Sequence, residues 1–66
     1  MPTWARQIND GISEYTAIID GNEYTIYRDG AGQLPWRAEC KSRSFDATFY
    51  TLWEAKAASL ENSQIN

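Results

Sequence analysis

Hydrophobic and polar residues alternate along much of the chain as far as Lys41, which is the pattern of half-buried β-strands. The runs Ile12 to Ile19 (ISEYTAII) and Glu23 to Arg28 (EYTIYR) are rich in β-branched and aromatic residues, and both are predicted strands. The run Leu34 to Lys41 (LPWRAECK) predicts a third strand, with Pro35 near its start, where a missing N–H donor is tolerated.

The segment Asp20-Gly21-Asn22 suits a tight hairpin turn that needs positive φ angles. A two-residue loop at Asp20-Gly21 pairs Ile19 with Asn22, whereas one at Gly21-Asn22 pairs Ile19 with Tyr24. Both registers give the same apolar face, because side chains alternate with period two. That face carries Tyr15, Ala17, Ile19, Tyr24 and Ile26. The predicted outer face carries Glu14, Thr16, Glu23, Thr25, Tyr27, Arg37, Glu39 and Lys41.

A C-terminal helix is predicted over residues 52–61. Thr51-Leu52-Trp53-Glu54 fits a capping box, with Thr at the N-cap and Glu at N3, and the following EAKAASLE has high helix propensity. Helical spacing places Leu52, Trp53, Ala55, Lys56, Ser59 and Leu60 on one broad face. Lys56 is expected to lay its stem on the core and to keep its amine in water.

Two segments fit more than one structure. Residues 45–50 suit either a short fourth strand or an extended approach to the helix. Within residues 1–11, Trp4 and Ile8 are spaced as on a helix, while Trp4, Arg6 and Ile8 also fit alternate positions of a strand. The structure of this N-terminal segment therefore stays open.

These patterns predict a single α+β domain over residues 1–66. It has a three- or four-stranded antiparallel β-meander, with strands within residues 12–41, and one C-terminal helix packed on one face. The predicted core is Tyr15, Ala17, Ile19, Tyr24, Ile26, Trp36, Ala38, Leu52, Ala55 and Leu60. A chain of 66 residues buries only about 60% of its unfolded surface, so efficient aromatic packing, self-association or a partner would help to stabilise it.

Catalytic, metal and cofactor chemistry is not expected. The chain has one cysteine and no histidine, which excludes an internal disulfide and disfavours a zinc site or an activated nucleophile. Cys40 is predicted to be a buried structural thiol. The repeated Asp-Gly pairs are interpreted as turns. Asp20 and Asp29 would lie at opposite ends of the meander, about 20 Å apart, too far to share an ion.

The charge balance is acidic, with nine Asp and Glu against six Lys and Arg, a net charge of −3 and a pI of about 4.6. A protein that grips nucleic acid usually carries a basic stripe, so direct nucleic-acid binding is less favoured. The sequence has no apolar run of membrane-spanning length and no signal-peptide core, and its single cysteine suits a reducing compartment. We therefore expect a cytoplasmic protein without a membrane partner.

The order strand–strand–strand–helix over residues 12–61, closed by FYTLWEAKAASLE, resembles the arm-binding domain of tyrosine recombinases. In that family a three-stranded sheet enters the DNA major groove through basic and polar residues on the sheet face. The resemblance implies a small DNA-binding domain, with Arg28, Arg37, Lys41 and Arg43 as its cations. On the same face, however, this sequence has Glu14, Glu23 and Glu39.

In size, acidity and absence of catalytic groups, the chain also resembles small acidic proteins of phages and mobile elements, including anti-CRISPR inhibitors. This resemblance implies a non-enzymatic inhibitor or adaptor that blocks a basic nucleic-acid-binding groove of a host defence complex by mimicking DNA charge. The surface residues predicted to meet such a partner are Glu14, Asp20, Glu23, Tyr27, Asp29 and Glu39. A structural or assembly subunit that forms homo-oligomers is a further alternative.

Overall fold

The computed structural model describes residues 2–28 and 34–64, and it is an α+β fold in which one helix packs on one side of an antiparallel sheet. The sheet has five strands, not three or four, in the order β1-β2-β3-β4-β5. The strands are β1 Ala5–Asn9, β2 Ile12–Ile19, β3 Asn22–Arg28, β4 Trp36–Cys40 and β5 Phe45–Phe49. A 3₁₀ turn, Lys41–Arg43, joins β4 to β5, and the helix α1 is Leu52–Ser63.

The two additional strands lie in the segments whose sequence fitted more than one structure. β1 pairs with β2 from Ala5↔Thr16 to Asn9↔Ile12, so the helical interpretation of the N-terminal segment is wrong. β5 pairs with β4 along its whole length. In both cases the decision is tertiary, because a short strand is stabilised by the hydrogen-bonding edge of its neighbour.

Two Asp-Gly pairs form the tight turns of the meander. Asp10-Gly11 has φ angles of 52° and 76°, and Asp20-Gly21 has 52° and 79°. Positive φ at both central positions is the requirement of a type I′ turn, whose twist matches that of the flanking strands. Ile19 pairs with Asn22, which selects the Asp20-Gly21 loop of the two predicted registers. Asp29-Gly30 lies outside the described residues.

The start of α1 is fixed by the predicted capping box. The Glu54 N–H donates to Thr51 Oγ1 at 3.1 Å, and the Thr51 N–H donates to Glu54 Oε1 at 3.1 Å. Two N–H groups that lack a partner within the helix are thereby satisfied. The helix ends at Ser63, two residues beyond the predicted end. Among the described residues, α1 does not reach the length and apolar character that a membrane-spanning helix needs.

α1 meets the sheet through a narrow stripe of small residues. Ala55, Ser59 and Ser63 are its buried members, spaced four apart on one helix face. The Ser59 hydroxyl donates to the Ala55 carbonyl at 2.8 Å, so its burial leaves no unpaired polar group. Trp53 is 76% exposed, and its predicted place on the sheet-facing side is wrong. At about 100° per residue it lies about 120° around the helix from Ser59, the middle of the buried stripe.

The core lies between α1 and the middle of the sheet. Its buried apolar residues are Ala17, Ile19, Tyr24, Ile26, Ala38, Cys40 and Ala55. Four predicted core residues, Tyr15, Trp36, Leu52 and Leu60, are only half-buried and pack around this centre together with Trp4, Phe45 and Phe49. Cys40 is a buried free thiol, as predicted.

Candidate interaction surface

The side of the sheet opposite α1, which we call the open face, is covered by none of the described residues. The pairing registers align its side chains in two rows across all five strands. One row is Gln7, Glu14, Tyr27, Arg37 and Thr48, and the other is Ala5, Thr16, Thr25, Glu39 and Asp46. Since side chains in a strand alternate between faces, the burial of the helix side forces this polar set into solvent.

A shallow depression of about 410 Å³ lies on the open face. Its lining residues come from β2, β3, β4 and the following 3₁₀ turn: Glu14, Glu23, Thr25, Tyr27, Glu39, Lys41 and Ser42. Four of the six residues predicted to meet a partner are therefore brought together: Glu14, Glu23, Tyr27 and Glu39. The depression is lined mostly by polar and charged side chains, which favours a polar contact over an apolar ligand.

A cross-strand network occupies one side of the open face. The Tyr27 hydroxyl donates to Glu39 Oε2 at 3.1 Å. The Arg37 guanidinium donates to both Asp46 oxygens, at 2.9 and 2.7 Å, and its Nε lies 3.6 Å from Glu39 Oε2. The hydrogen bonds from Arg37 lower the pKa of Asp46, and those to Asp46 raise the pKa of Arg37. Asp46 is thus held as a carboxylate.

Two other carboxylates on the open face are differently placed. The carboxylates of Glu14 and Glu23 make no hydrogen bond or ion pair with any residue in the described ranges 2–28 and 34–64. Glu14 lies directly opposite Tyr27 on the neighbouring strand, and Glu23 lies opposite the exposed Ile18. Their charges are available to a cation brought to this surface.

The remaining predicted partner residues do not join the depression. Asp20 is exposed in the β2–β3 turn and accepts a hydrogen bond at its backbone carbonyl from the Asn22 side chain. It does not line the depression. Asp29 lies outside the described residues.

Asp46 is a residue of the open face that sequence reasoning missed. The run Phe45 to Phe49 (FDATF) alternates apolar and polar positions, and this alternation was the available signal. The signal is short, and the segment also suited an extended approach to the helix. Only its pairing with β4, which places Asp46 opposite Glu39, assigns Asp46 to the open face.

On the helix side, the cations Lys56 and Arg28 lie over aromatic rings. The Lys56 Nζ lies 5.9 Å from the centre of the Trp4 ring and 5.0 Å from that of Tyr15, so its amine sits over these rings. The Tyr15 and Trp36 ring centres are 6.2 Å apart, and the Arg28 guanidinium lies 5.7 Å from the Trp36 ring centre. The cross-strand network of the open face and these cation–aromatic contacts thus lie on opposite sides of the sheet.

Within residues 2–28 and 34–64, no group of three or more His, Cys, Asp and Glu side chains is arranged to hold a metal ion. Comparisons with protein-family models, curated proteins and solved structures give no significant match to this chain.

Proposed function

We propose that this protein is a non-enzymatic inhibitor or adaptor that applies its open face to a basic surface of a partner protein. The observation that carries the proposal is that Glu14, Glu23 and Glu39 line the same depression of the open face as Tyr27. Proteins recognise one another through complementary potentials, and a central aromatic residue is a frequent anchor of such contacts.

The chemistry of the open face supports a cationic partner. Four carboxylates, Glu14, Glu23, Glu39 and Asp46, share this face with the cations Arg37 and Lys41. Glu39 and Asp46 lie directly opposite each other on neighbouring strands, and Arg37 contacts both, whereas Glu14 and Glu23 lie at other positions of the sheet without an ion pair among the described residues. These four carboxylates outnumber the two cations, so the open face has an excess of negative charge. A groove built to bind the phosphates of a nucleic acid offers the matching Lys and Arg side chains.

The resemblance to small acidic inhibitors of phages and mobile elements implies the same mode of action, in which the carboxylates take the place of phosphates. The alternative of sheet-face DNA binding needs cations at the positions of Glu14, Glu23 and Glu39, because the phosphates of DNA would repel carboxylates there. The absence of histidine from the chain and the burial of Cys40 favour a binding role over a catalytic one.

The test compares two charge reversals that change the net charge equally. Glu23→Lys alters the depression, whereas Glu61→Lys alters an exposed helix residue outside the depression. Tagged wild-type protein is used to capture a partner from a lysate, and the affinity of the purified partner is then measured for each variant. We expect Glu23→Lys to weaken binding at least about tenfold, Glu61→Lys to change it little, and added salt to weaken the wild-type complex.

Two results would contradict the proposal. The first is equal loss of binding in both variants, which would mean that net charge alone is recognised. The second is tight binding of duplex DNA at low salt, measured by fluorescence anisotropy, that improves with Glu23→Lys. That outcome would support the DNA-binding alternative, because removing a carboxylate relieves repulsion of phosphates.

A further inference from the structure

β1 is an edge strand whose outer side pairs with none of the described residues. All five of its residues, Ala5 to Asn9, are exposed. Edge strands of soluble proteins are commonly protected by Lys or Pro residues or by a bulge. β1 contains neither residue, and it pairs with β2 residue for residue without a bulge. Its one charged side chain, Arg6, donates a hydrogen bond to Ser13 on β2 at 3.1 Å, which directs the guanidinium toward β2. Its outer edge therefore offers unobstructed backbone groups to a further strand.

The Asp10-Gly11 turn determines which backbone groups of β1 point outward. In a two-residue type I′ hairpin the residues flanking the loop, here Asn9 and Ile12, form a hydrogen-bonded pair. Hydrogen-bonded and non-hydrogen-bonded pairs then alternate along the two strands. The N–H and C=O groups of Arg6 and Ile8 consequently point away from β2, out of the sheet edge.

We propose that β1 pairs antiparallel with β1 of a second copy of this chain, about a two-fold axis at Gln7. In this register Arg6 lies opposite Ile8 of the second copy, and Ala5 lies opposite Asn9 of the second copy. The outward backbone groups of Arg6 and Ile8 then form hydrogen-bonded pairs on both sides of the axis. The whole of β1 is used in each copy, and the interface is isologous, as in most dimers.

Other self-pairing registers are less favourable. An axis at Arg6 would place two guanidinium groups directly opposite each other, where like charges are destabilising. An axis at Ile8 would leave Ala5 and Arg6 without strand partners, because the opposite positions fall in or beyond the Asp10-Gly11 turn. The Gln7-centred register avoids both costs and places Ile8, which is 65% exposed in the single chain, opposite Arg6 of the second copy.

The side chains of β1 are compatible with pairing between two copies of this strand. The strand contains no carboxylate, although nine of the 66 residues are acidic, and it carries a single charge at Arg6. Two antiparallel copies therefore meet without facing like charges. One paired strand buries less than the roughly 1,200 Å² typical of stable interfaces, so the dimer is concentration-dependent. The proposal does not rest on the proposed function of the open face.

Sedimentation velocity with two matched variants tests the dimer. Ile8 and Ile18 are 65% and 64% exposed, but only Ile8 lies on β1. The wild type should shift from monomer to dimer between about 10 µM and about 1 mM, a range set by the small interface. Ile8→Lys places a cation opposite Arg6 of the second copy and should weaken the dimer at least about tenfold. Ile18→Lys should leave it unchanged.

A charge exchange tests the register. Adding Arg6→Glu to Ile8→Lys creates two complementary Glu–Lys pairs across the Gln7-centred axis and should restore dimerisation. About an axis at Ile8, the same double variant would instead face two lysines and stay monomeric. Circular dichroism of each variant confirms that it is folded.

Disulfide trapping gives an independent readout. Gln7 lies on the axis as a non-hydrogen-bonded pair with about 4.5 Å between Cα atoms, a distance that a disulfide can bridge. Gln7→Cys should therefore give a covalent dimer under mild oxidation. Asn9→Cys is the matched control on the same strand face, because the two copies of residue 9 would lie about 13 Å apart along the strands. Wild-type protein, whose Cys40 is buried, shows the background.

A wild-type chain that stays monomeric to about 1 mM overturns the proposal. So does a dimer that survives Ile8→Lys, or equal trapping by Gln7→Cys and Asn9→Cys. Loss of partner binding after Glu23→Lys with dimerisation intact would separate the open-face function from self-association.

Discussion

The two sides of β3 differ in their exposure to solvent. Tyr24 and Ile26 point to the helix side and are 0% exposed, while Glu23, Thr25 and Tyr27 point to the open face and reach solvent. Successive residues of a strand face opposite ways, so one residue of register separates the core from the candidate interaction surface. The position of α1 decides which side becomes the core.

The two sides also treat polar groups differently. On the helix side, the Tyr24 hydroxyl donates to Asn62 Oδ1 at 2.7 Å and the Ser59 hydroxyl donates to the Ala55 carbonyl. Burial without such partners would be costly. On the open face, the carboxylates of Glu14 and Glu23 have no hydrogen-bonding partner among residues 2–28 and 34–64, and water can solvate them. Stability is therefore concentrated on one side, and the charges available for recognition lie on the other.

The largest expected effect is the loss of a core side chain on the helix side. Ile26→Ala should lower the free energy of unfolding by about 2–5 kcal/mol, because it removes buried methyl groups and leaves a cavity. Thr25→Ala, the adjacent position on the open face, should cost less than about 1 kcal/mol through lost β-propensity alone. Urea denaturation followed by tryptophan fluorescence measures both values. Equal losses in the two variants would contradict the assignment of the faces.

A smaller effect is expected from the buried hydroxyl of Tyr24. Tyr24→Phe removes the hydrogen bond to Asn62 while keeping the ring, and it should cost about 1–2 kcal/mol. Thermal unfolding at pH 7 measures this loss. Tyr27→Phe is the matched control. The Tyr27 hydroxyl also donates to a side chain, that of Glu39, but Tyr27 is only half-buried and lies on the open face. A larger loss for Tyr27→Phe than for Tyr24→Phe would contradict the comparison.

The buried hydroxyl of Tyr24 also leads us to expect that the free energy of unfolding falls at high pH. Burial raises the pKa of Tyr24 above its ordinary value of 10.0. Because the folded state favours the protonated phenol, the contribution of Tyr24 is complete below pH 10.0 and is lost as pH rises toward the higher folded-state pKa. Tyr24→Phe should flatten that part of the stability profile. An unchanged profile in the variant would show that other groups cause the alkaline loss.

The smallest effect concerns the Arg37–Asp46 pair. The hydrogen bonds from Arg37 lower the pKa of Asp46 below its ordinary value of 3.8. The contribution of the pair is therefore present above pH 3.8 and is lost as pH falls through the lower folded-state pKa. Carbon-detected NMR titration of the Asp46 carboxyl should show its pKa rising toward 3.8 in Arg37→Ala. Solvent exposure of both side chains limits the change in stability at neutral pH.

Local sequence was sufficient where the chemistry of a turn or cap is local. Asp20-Gly21 supplies the positive φ angles of its hairpin, and Thr51 with Glu54 supplies both bonds of the capping box. The alternation around the hairpin then predicted the buried face correctly, including Tyr24 and Ile26. These features depend on residues within a few positions of one another, so no knowledge of the rest of the fold is needed.

Tertiary structure decided what depends on a distant neighbour. The N-terminal segment suited a helix or a strand until β2 provided hydrogen-bonding partners, and Asp46 joined the open face only through the pairing of β5 with β4. Trp53 remained exposed because the helix turns Ala55, Ser59 and Ser63 to the sheet, and Trp53 lies about 120° around the helix from Ser59. Short strands and packing stripes have weak local signals, and their placement follows from contacts between residues far apart in the chain.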